Sequence, residues 1–265
     1  MYSTVFGRII LKLLVSRNVS VLCGKFLDSK ASKILIKRFV RKNNIDTNDY
    51  YIDNINSFND FFTRKIKENK RPIDYNSSSL ISPCDAFLSV YKISEGTVIP
   101  VKQSSYTISS LLCNSQISEK YKNGICLVFR LCVDHYHRYC YVDSGEKGGN
   151  FFLPGILHTV RPIALEKYPV FSTNCREYTV IKTDNFGEIV QMEVGAMLVG
   201  KIHNYHEAKH VERGEEKGLF LYGGSTIIVL LEEGRAEITV NTLDTGGYVN
   251  EFPVIMGQKI GEKII

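Results

Sequence analysis

The tetrapeptide Gly223-Gly224-Ser225-Thr226 has the most distinctive chemistry in this sequence of 265 residues. Its simplest interpretation is a turn, because glycine adopts positive φ angles at little cost and a strongly β-forming run, 227–231, follows. A chemical interpretation is that the Ser225 hydroxyl attacks the carbonyl of Gly224, since glycine has no Cβ to obstruct the approach. The hydrolase pattern GxSxG does not fit, because Ile227 occupies the position of its second glycine.

A second group of reactive side chains lies in the segment Asp134-His-Tyr-His-Arg-Tyr-Cys140. In a β-strand alternate residues share a face, so His135 and His137 are expected on one side. This pair, with Cys140 or His158, has the ligand types of a zinc site but none of its familiar spacings. The alternatives are an acid–base site, since histidine titrates near neutral pH, and ordinary structural histidines.

Asp85, in Ser82-Pro-Cys-Asp85, follows a proline at the mouth of a predicted strand. An aspartate there is commonly a turn residue that binds its own backbone, and a catalytic role is the alternative. The apolar run 192–200 contains two glycines that let another backbone come close. We therefore expect it to form core or the wall of a pocket.

The elements that must position these residues begin with helix. From residue 4 to 42, apolar residues recur at spacings of three and four, and basic residues line the opposite side. The apolar set is Phe6, Ile9, Ile10, Leu13, Leu14, Ala31, Leu35 and Phe39, and the basic set is Arg8, Lys12, Lys30, Lys33, Lys37 and Arg41. Such a stretch can lie in an anionic membrane interface. A solvated helix packed on the domain is the alternative; nucleic acid is a third, but no known binding motif accompanies the charge.

A short polar stretch leads to a second predicted helix, from Ser57 to Lys67, whose start resembles a capping box. From residue 80 onward the sequence predicts short strands rich in Val, Ile and Tyr. They are 87–93, 125–130, 138–142, 178–183, 189–194 and 226–232. Because strands and helices do not alternate, we predict an α+β fold, with N-terminal helices followed by a mostly antiparallel sheet or partial barrel.

Composition narrows the class of protein. Hydrophobic residues make up 44% and charged residues 23%, which excludes a disordered or collagen-like chain. The seven cysteines are odd in number and form no CxxC pair, so we expect reduced thiols. No apolar run approaches the roughly 20 residues of a membrane-spanning helix, and no signal peptide is expected. Residues 1–71 hold 15 Lys or Arg against 6 Asp or Glu, whereas the remainder holds 18 against 22, so the basic excess belongs to the N-terminal segment.

Taken together and in order, the motifs resemble those of the phosphatidylserine decarboxylase family. They are FNDFFTRK and RPI (58–65, 71–73), SPxD (82–85), HYHR (135–138), VxPIAL (160–165), NxREY (174–178), FG with MEVGAxxVG (186–200), RGEEKGxF (213–220) and GGST (223–226). The segments are collinear and cover residues 58 to about 232. The joint match is therefore far more specific than any one motif.

The resemblance implies a proenzyme that processes itself. Ser225 would attack the carbonyl of Gly224 to give an ester, and elimination would separate chains 1–224 and 225–265. Ser225 would thereby become a pyruvoyl group, the cofactor, whose ketone forms a Schiff base with the substrate amine and acts as an electron sink. The implied reaction converts phosphatidylserine to phosphatidylethanolamine and CO₂, with a positioned acid returning a proton to the α-carbon.

By the same resemblance, Asp85 is the orienting carboxylate of an Asp-His-Ser relay that activates Ser225. The sequence departs from the family at the relay histidine, since many members have His-Arg-x-His where this chain has His137-Arg-Tyr-Cys140. His137, implicated in the decarboxylation step, could serve both steps, or His158 could act as the base. Cys140 is the weaker candidate for that role, and impaired cleavage in an inactive homologue is the third explanation.

We therefore expect a basic membrane-docking segment over 1–56 and a catalytic domain over 57–265. The expected partners are phosphatidylserine and an anionic membrane surface, at the cytoplasmic face of a bacterial cell membrane, and the two fragments are expected to stay associated. Neither nucleic acid nor metal is expected, and the sequence leaves open a homodimer, the acyl-chain preference and the exact headgroup. The rival hypotheses are a non-catalytic lipid-binding homologue and a metal-dependent hydrolase that uses His135, His137 and Cys140.

Overall fold

A computed structural model describes residues 17–94, 99–101, 104–156, 170–195, 202–223, 225–240 and 251–264. Its helices are α1 (Arg17–Leu27), α2 (Ile34–Asn43), α3 (Phe58–Phe62), α4 (Ile108–Leu112), α5 (Ser115–Glu119) and α6 (Val170–Thr173). Short 3₁₀ turns occupy Lys30–Lys33 and Thr47–Asp49. The helix predicted over 4–42 is thus confirmed from residue 17 as two helices joined by a 3₁₀ turn, and residues 4–16 lie outside the described residues. None of the described helices has the length and apolar character to cross a bilayer.

The strands of the same described ranges are short. They are β1 (Tyr50–Tyr51), β2 (Lys65–Ile66), β3 (Ser79–Ile81), β4 (Ala86–Lys92), β5 (Ile99–Val101), β6 (Ser104–Tyr106), β7 (Ile125–Leu131), β8 (Arg138–Cys140), β9 (Gly145–Lys147), β10 (Phe151–Leu153), β11 (Arg176–Thr183), β12 (Gly187–Val194), β13 (Ile202–Asn204), β14 (Lys209–Val211), β15 (Glu216–Phe220), β16 (Ser225–Leu231), β17 (Ala236–Ile238), β18 (Phe252–Val254) and β19 (Lys259–Lys263). All six strands predicted from the sequence are confirmed to within two residues at either end.

One antiparallel sheet forms the centre of the fold. Its strand order is β14-β9-β11-β12-β16-β7-β4-β18, with β10 attached to β11. Two three-stranded sheets, β13-β15-β8 and β17-β19-β3, and two strand pairs, β1-β2 and β5-β6, accompany it. Every ladder between these strands is antiparallel, and the described strands of the large sheet do not close into a barrel. The predicted α+β class with a mostly antiparallel sheet is confirmed.

The two faces of the large sheet each have a hydrophobic core. Every side chain of β16 is buried, so this strand supplies both cores by the alternation of a β-strand. Ile227 and Val229 belong to the core shared with the two three-stranded sheets, whereas Ile228 and Leu230 pack toward α4 and α6. Ser225 has the same parity as Ile227, so its side chain is directed toward the core that contains β8.

The helix that follows Ser57 is shorter than predicted. It begins as expected, because the Ser57 hydroxyl accepts the Asp60 backbone N–H at 3.1 Å. It ends at Phe62, whereas the sequence predicted helix to Lys67. The prediction was wrong about the end of the helix because the chain there forms β2, which pairs with β1, a strand on the other side of α3 in the sequence. Local sequence does not reveal this pairing.

Aromatic side chains connect the N-terminal helices to the rest of the protein. The ring of Phe39, on α2, lies 5.1 Å from the ring of Phe58 and 6.2 Å from that of Tyr222, measured between centroids. Leu27 and Ile36 pack in the same cluster. The helices therefore contact the segment that immediately precedes Gly223. All seven cysteines are free thiols, as predicted.

Candidate active site

Ser225 opens β16, where its backbone pairs with Leu131 of β7. Its side chain is fully buried, and its hydroxyl has no hydrogen-bond partner among the described residues. A buried hydroxyl without a partner costs about 1–3 kcal/mol, so proteins seldom tolerate one without a reason. The hydroxyls of Ser79, Tyr121 and Thr226 are buried without a partner as well, so it is this burial together with the preceding glycine pair that marks Ser225 as the candidate reactive group.

The backbone before Ser225 needs glycine. Gly223 is buried and has a φ of 148°, a conformation that residues with side chains rarely adopt. The turn predicted for the glycine pair is confirmed at Gly223. Gly224, the other half of the predicted cleavage site, lies outside the described residues.

Asp85 and Ser225 lie at the same end of the large sheet, where the strands β4 and β16 begin. Asp85 directly precedes β4, Ser225 is the first residue of β16, and β7 runs between these two strands and antiparallel to both. Neighbouring strands are about 4.8 Å apart, so the two strand starts are separated by roughly 10 Å. The sheet topology therefore brings together two of the residues that the sequence predicted, although they are 140 positions apart.

The Asp85 carboxylate is held by partners that the sequence analysis did not identify. Arg71 donates to it from Nε and from one terminal nitrogen, at 2.8 Å (Nε to Oδ1) and 2.5 Å (Nη2 to Oδ2). The backbone N–H of Met256 donates to Oδ1 at 2.9 Å. The structure places no hydrogen bond between Asp85 and His137, so the relay is not assembled in this arrangement.

His137 is buried beside the predicted cleavage site. Its Nδ1 lies 2.9 Å from the carbonyl oxygen of His135. A carbonyl only accepts, so Nδ1 carries the proton and Nε2 is a bare acceptor. Nε2 is buried and has no hydrogen-bond partner among the described residues. Burial lowers the pKa of His137 to about 3, and a contact with the backbone of Gly223 opposes part of that shift. His137 is therefore uncharged at neutral pH and lies next to Gly223.

The Cys140 thiol is a poor candidate for the missing relay base. It is buried, and burial raises its pKa to about 12, so it remains protonated at neutral pH. Its sulfur lies 4.0 Å from the carbonyl oxygen of Ser82, the acceptor available to it. A cleft of about 190 Å³ reaches Cys140 and also Met256, which binds Asp85. The position at which the resemblance leads us to expect the relay histidine therefore holds a buried, protonated thiol at the wall of a cleft.

The predicted shared face of His135 and His137 is wrong. Residues 132–137 form a turn and an irregular segment, and β8 begins only at Arg138, so strand alternation does not apply. The His135 ring packs on the Phe87 ring, with 5.3 Å between the ring centroids, whereas the His137 ring packs on the Phe62 ring, with 4.1 Å between the centroids. In the described ranges, no three His, Cys, Asp or Glu side chains are arranged to hold a metal ion. His158, the other candidate base, lies outside the described residues.

A buried ion pair supports β16 from the neighbouring strand. Glu193 faces Ile227 in the register of β12 and β16, on the same side of the sheet as Ser225. Its carboxylate accepts from the Lys217 ammonium at 2.6 Å, and both side chains are completely buried. Asn204 accepts from Lys217 at 2.7 Å. The sequence analysis missed this pair, although the single charge inside the apolar run MEVG and the lysine of EEKG were the available signal.

Comparisons with known proteins identify the family of the chain. The family model described as phosphatidylserine decarboxylase matches residues 58–262. Phosphatidylserine decarboxylase proenzyme 2 of Clostridium acetobutylicum is 45% identical over 263 residues, which cover 99% of this chain and 90% of that protein. The phosphatidylserine decarboxylase proenzymes of Clostridium tetani and Clostridium botulinum are 44% and 41% identical, over 92% and 100% of this chain and 84% and 91% of their own lengths.

The fold, the site and these matches define an enzyme of the decarboxylase class, made as a proenzyme and acting in phospholipid biosynthesis. More particularly, the chain belongs to the phosphatidylserine decarboxylase family. The resemblance found in the motifs of the sequence is thereby confirmed.

Proposed function

We propose that this protein cleaves itself between Gly224 and Ser225 and then removes the carboxyl group of phosphatidylserine, giving phosphatidylethanolamine and CO₂. The observation that carries the proposal is the buried Ser225 hydroxyl, which has no hydrogen-bond partner in the described structure. Ser225 directly follows the glycine pair, and it lies at the same end of the large sheet as Asp85. The names of the related proenzymes support the substrate.

Self-cleavage would proceed in two steps that use only groups of this chain. In the first step, the Ser225 oxygen attacks the Gly224 carbonyl carbon, the peptide C–N bond breaks, and the nitrogen takes a proton, leaving an ester. In the second step, a base removes the α-proton of residue 225, the Cβ–O bond breaks, and its electron pair leaves with the Gly224 carboxylate. Water then replaces the nitrogen of the resulting dehydroalanine and releases ammonia, which leaves a ketone.

We assign the first step to His137, whose ring contacts the backbone of Gly223, two residues before Ser225. Its bare Nε2 can accept the Ser225 proton, and its lowered pKa keeps that nitrogen free at neutral pH. His158 is the alternative base. In either case Asp85 would have to exchange its contact with Arg71 before it could orient the histidine.

The site fits a pyruvoyl group at position 225. The chain end would be the first residue of a fully buried strand, which shields the group from bulk solvent. Conversion also removes a buried hydroxyl that has no partner, since a ketone oxygen has no proton to donate. The group would supply an electrophile for the substrate amine and a sink for the electron pair left when CO₂ departs. His137, close to residue 223, could then deliver the proton that replaces the carboxyl group from Nδ1, the nitrogen that carries a proton in the uncharged ring.

The experiment for this function measures CO₂ and a carbonyl group on the same protein. Vesicles with phosphatidylserine labelled at its carboxyl carbon should release labelled CO₂ when the purified protein is added. Treatment with hydroxylamine should abolish the release, because it traps the ketone. Retention of full activity after that treatment, or release that depends on added metal, would contradict the proposal.

We also propose that the N-terminal helices dock on an anionic membrane. Large apolar side chains there remain exposed, since Leu22 is 70% and Ile34 is 80% accessible to solvent. Exposed basic side chains share these helices and the turn between them: Lys30, Lys33, Lys37, Arg38 and Arg41. Apolar side chains beside lysines are typical of segments that lie in a lipid interface. The contact of Phe39 with Tyr222 links this surface to the site.

Replacing Lys30, Lys33 and Lys37 by glutamine should weaken binding to vesicles that contain phosphatidylserine. Each basic residue near an anionic surface contributes about 1 kcal/mol, so the triple variant should bind about 100-fold less tightly at low salt. A sedimentation assay measures the partition. The control replaces three exposed lysines elsewhere, Lys122, Lys182 and Lys263, and leaves the same net charge. Equal losses in the two variants would mean that no particular face of the protein docks.

A further inference from the structure

The cleft that reaches Cys140 has no role in the mechanism proposed above. It has a volume of about 190 Å³, and Lys65, Tyr136, Glu216 and Met256 also line it. Pockets for drug-sized ligands measure about 300–1,000 Å³, so this cleft suits a smaller group. Lys65 is exposed, whereas Cys140 is buried. The cleft therefore extends from the surface toward the interior.

The inner end of the cleft lies next to Asp85. The backbone N–H of Met256 donates to the Asp85 carboxylate at 2.9 Å, and the backbone N–H of Cys140 donates to the carbonyl oxygen of Pro83 at 2.9 Å. Two lining residues thus contact the turn that leads into β4. Ser225 begins a strand at the same end of the large sheet, roughly 10 Å from Asp85. The cleft therefore ends at the candidate active site.

The segment that carries Lys65 runs beside His137. The carbonyl oxygen of Thr63 accepts from Arg138 Nε at 2.8 Å. The centroid of the Phe62 ring lies 4.1 Å from that of the His137 ring. The exposed end of the cleft is therefore tied to the histidine that we assign to the reaction.

The charges at the cleft leave one cation unpaired, that of Lys65. The Glu216 carboxylate pairs with Arg138 at 2.6 Å, and the Asp85 carboxylate pairs with Arg71 at 2.5 Å. No hydrogen bond or ion pair joins the Lys65 ammonium to another residue in the part of the chain that the structure describes. The cleft therefore carries one positive charge in excess, which suits an anionic ligand.

We propose that Lys65 binds the phosphate of the phosphatidylserine headgroup. The proposal rests on the decarboxylation proposed above. A phosphate diester has one negative charge at neutral pH, and an ammonium binds phosphate through charge-assisted hydrogen bonds. The phosphate lies three bonds from the carbon that loses CO₂, so its cation must lie near the reacting group without touching it. A lysine in a cleft that ends beside Asp85 meets this requirement.

The phosphate suits this ammonium better than the carboxylate of the substrate does. The carboxylate loses its charge when CO₂ leaves, so an ammonium bound to it would stabilise the substrate more than the transition state and would slow the reaction. The phosphate keeps the same charge before, during and after the reaction. Its contact with Lys65 therefore strengthens the binding of both states equally, which lowers KM and leaves kcat unchanged.

Kinetics with phosphatidylserine in neutral detergent micelles separate this contact from docking on a membrane. Lys65→Met should raise KM about tenfold and leave kcat unchanged, since it removes a hydrogen bond between charged groups at a partly exposed site. Lys65→Arg keeps the charge and should stay near the wild type. Lys67→Met, the control, removes an exposed lysine that does not line the cleft, and should leave KM as it is. An unchanged KM in Lys65→Met, a loss confined to kcat, or an equal rise of KM in the control would overturn the proposal.

Chemical labelling tests the same contact without a variant at position 65. In the Ser225→Ala protein, acetic anhydride should modify Lys65 more slowly when glycerophosphoserine, the soluble headgroup, is added, and Lys67 at an unchanged rate. Mass spectrometry of the digested protein measures both rates. Serine, which lacks the phosphate, and inorganic phosphate, which lacks the serine, should protect Lys65 less. Equal protection by serine would show a site for the carboxylate, and equal protection by inorganic phosphate would show a site for any phosphate; either result overturns the assignment.

The failure of this proposal differs from that of the proposed function. If the wild type releases CO₂ but glycerophosphoserine does not protect Lys65, then Lys65 does not bind the headgroup, and the proposed function stands. This result decides the matter even if Lys65→Met does not fold. If Lys65 is protected but the wild type releases no CO₂, the headgroup site stands and the proposed function is overturned.

Discussion

The Ser225→Ala variant is expected to remain one chain of 265 residues, whereas the wild type yields chains of 224 and 41 residues. Alanine has no oxygen to attack the Gly224 carbonyl, so neither the ester nor the ketone can form. The loss should be complete, because the same atom is the nucleophile of cleavage and the source of the cofactor. Intact mass under denaturing conditions measures the cleavage, and labelled CO₂ release measures the activity.

Thr226→Ala is the matched control for this variant. Thr226 is the next residue, and its hydroxyl is also buried without a hydrogen-bond partner among the described residues. It belongs to the opposite face of β16, so its loss should change stability and leave cleavage intact. Cleavage of Ser225→Ala, or a wild type that stays whole after long incubation, would end the pyruvoyl hypothesis. The chain would then be a lipid-binding homologue of the same fold.

The two candidate bases can be separated by the same measurement. His137→Gln and His158→Gln each remove one imidazole and keep a polar side chain of similar size. General bases contribute about 10²–10⁴-fold to a rate, so the variant that lacks the true base should lose cleavage by that factor. If His137 only orients the serine and later returns a proton, its variant should be cut and remain inactive toward phosphatidylserine.

The strands could be predicted from the sequence because their signal is local. Runs such as Thr226-Ile-Ile-Val-Leu-Leu are strongly β-forming and end at glycine or charged residues, so their positions require no knowledge of the fold. The N-terminal helices gave the same kind of signal through their periodicity. The end of α3 could not be predicted, because it depends on the pairing of β2 with a strand 15 residues earlier.

Site residues could be predicted only where they belong to a motif that resembles the family pattern. Asp85, His137 and Ser225 were predicted from the family resemblance. The large sheet places Asp85 and Ser225 at the same end of its strands. The hydrogen-bond partners of these residues could not be predicted from a motif, since nothing in the sequence indicates that Arg71 binds Asp85. Burial of one side chain by others distant in sequence is a property of the assembled fold. The packing of the His135 ring on Phe87, away from His137, is likewise a property of the assembled fold.

Replacing Lys217 by methionine is expected to lower the free energy of unfolding by about 3–5 kcal/mol, because it leaves the buried Glu193 carboxylate without its cation. The matched control is Lys209→Met. Lys209 binds Glu215 at 2.7 Å, nearly the same distance, but its side chain is 42% exposed, so its loss should cost about 0–1 kcal/mol. Urea unfolding of the Ser225→Ala protein, a single chain, measures both. Equal losses would show that burial does not decide the strength of these pairs.

The stability lost in Lys217→Met should depend on pH, because the Glu193 carboxyl titrates. Burial raises the pKa of Glu193, and Lys217 opposes the shift. Without Lys217 the carboxyl of the folded protein should bind its proton at higher pH than the unfolded chain does, so its stability falls as pH rises from the unfolded pKa toward the folded one. The loss of stability in Lys217→Met should therefore be smaller at pH 5 than at pH 8.

Adding Glu193→Leu to Lys217→Met removes the remaining charge and should recover much of the stability at pH 8, since an apolar pair can replace a buried ion pair. A double variant as unstable as the single one would mean that the network with Asn204, and not the charge, supports β16 behind Ser225.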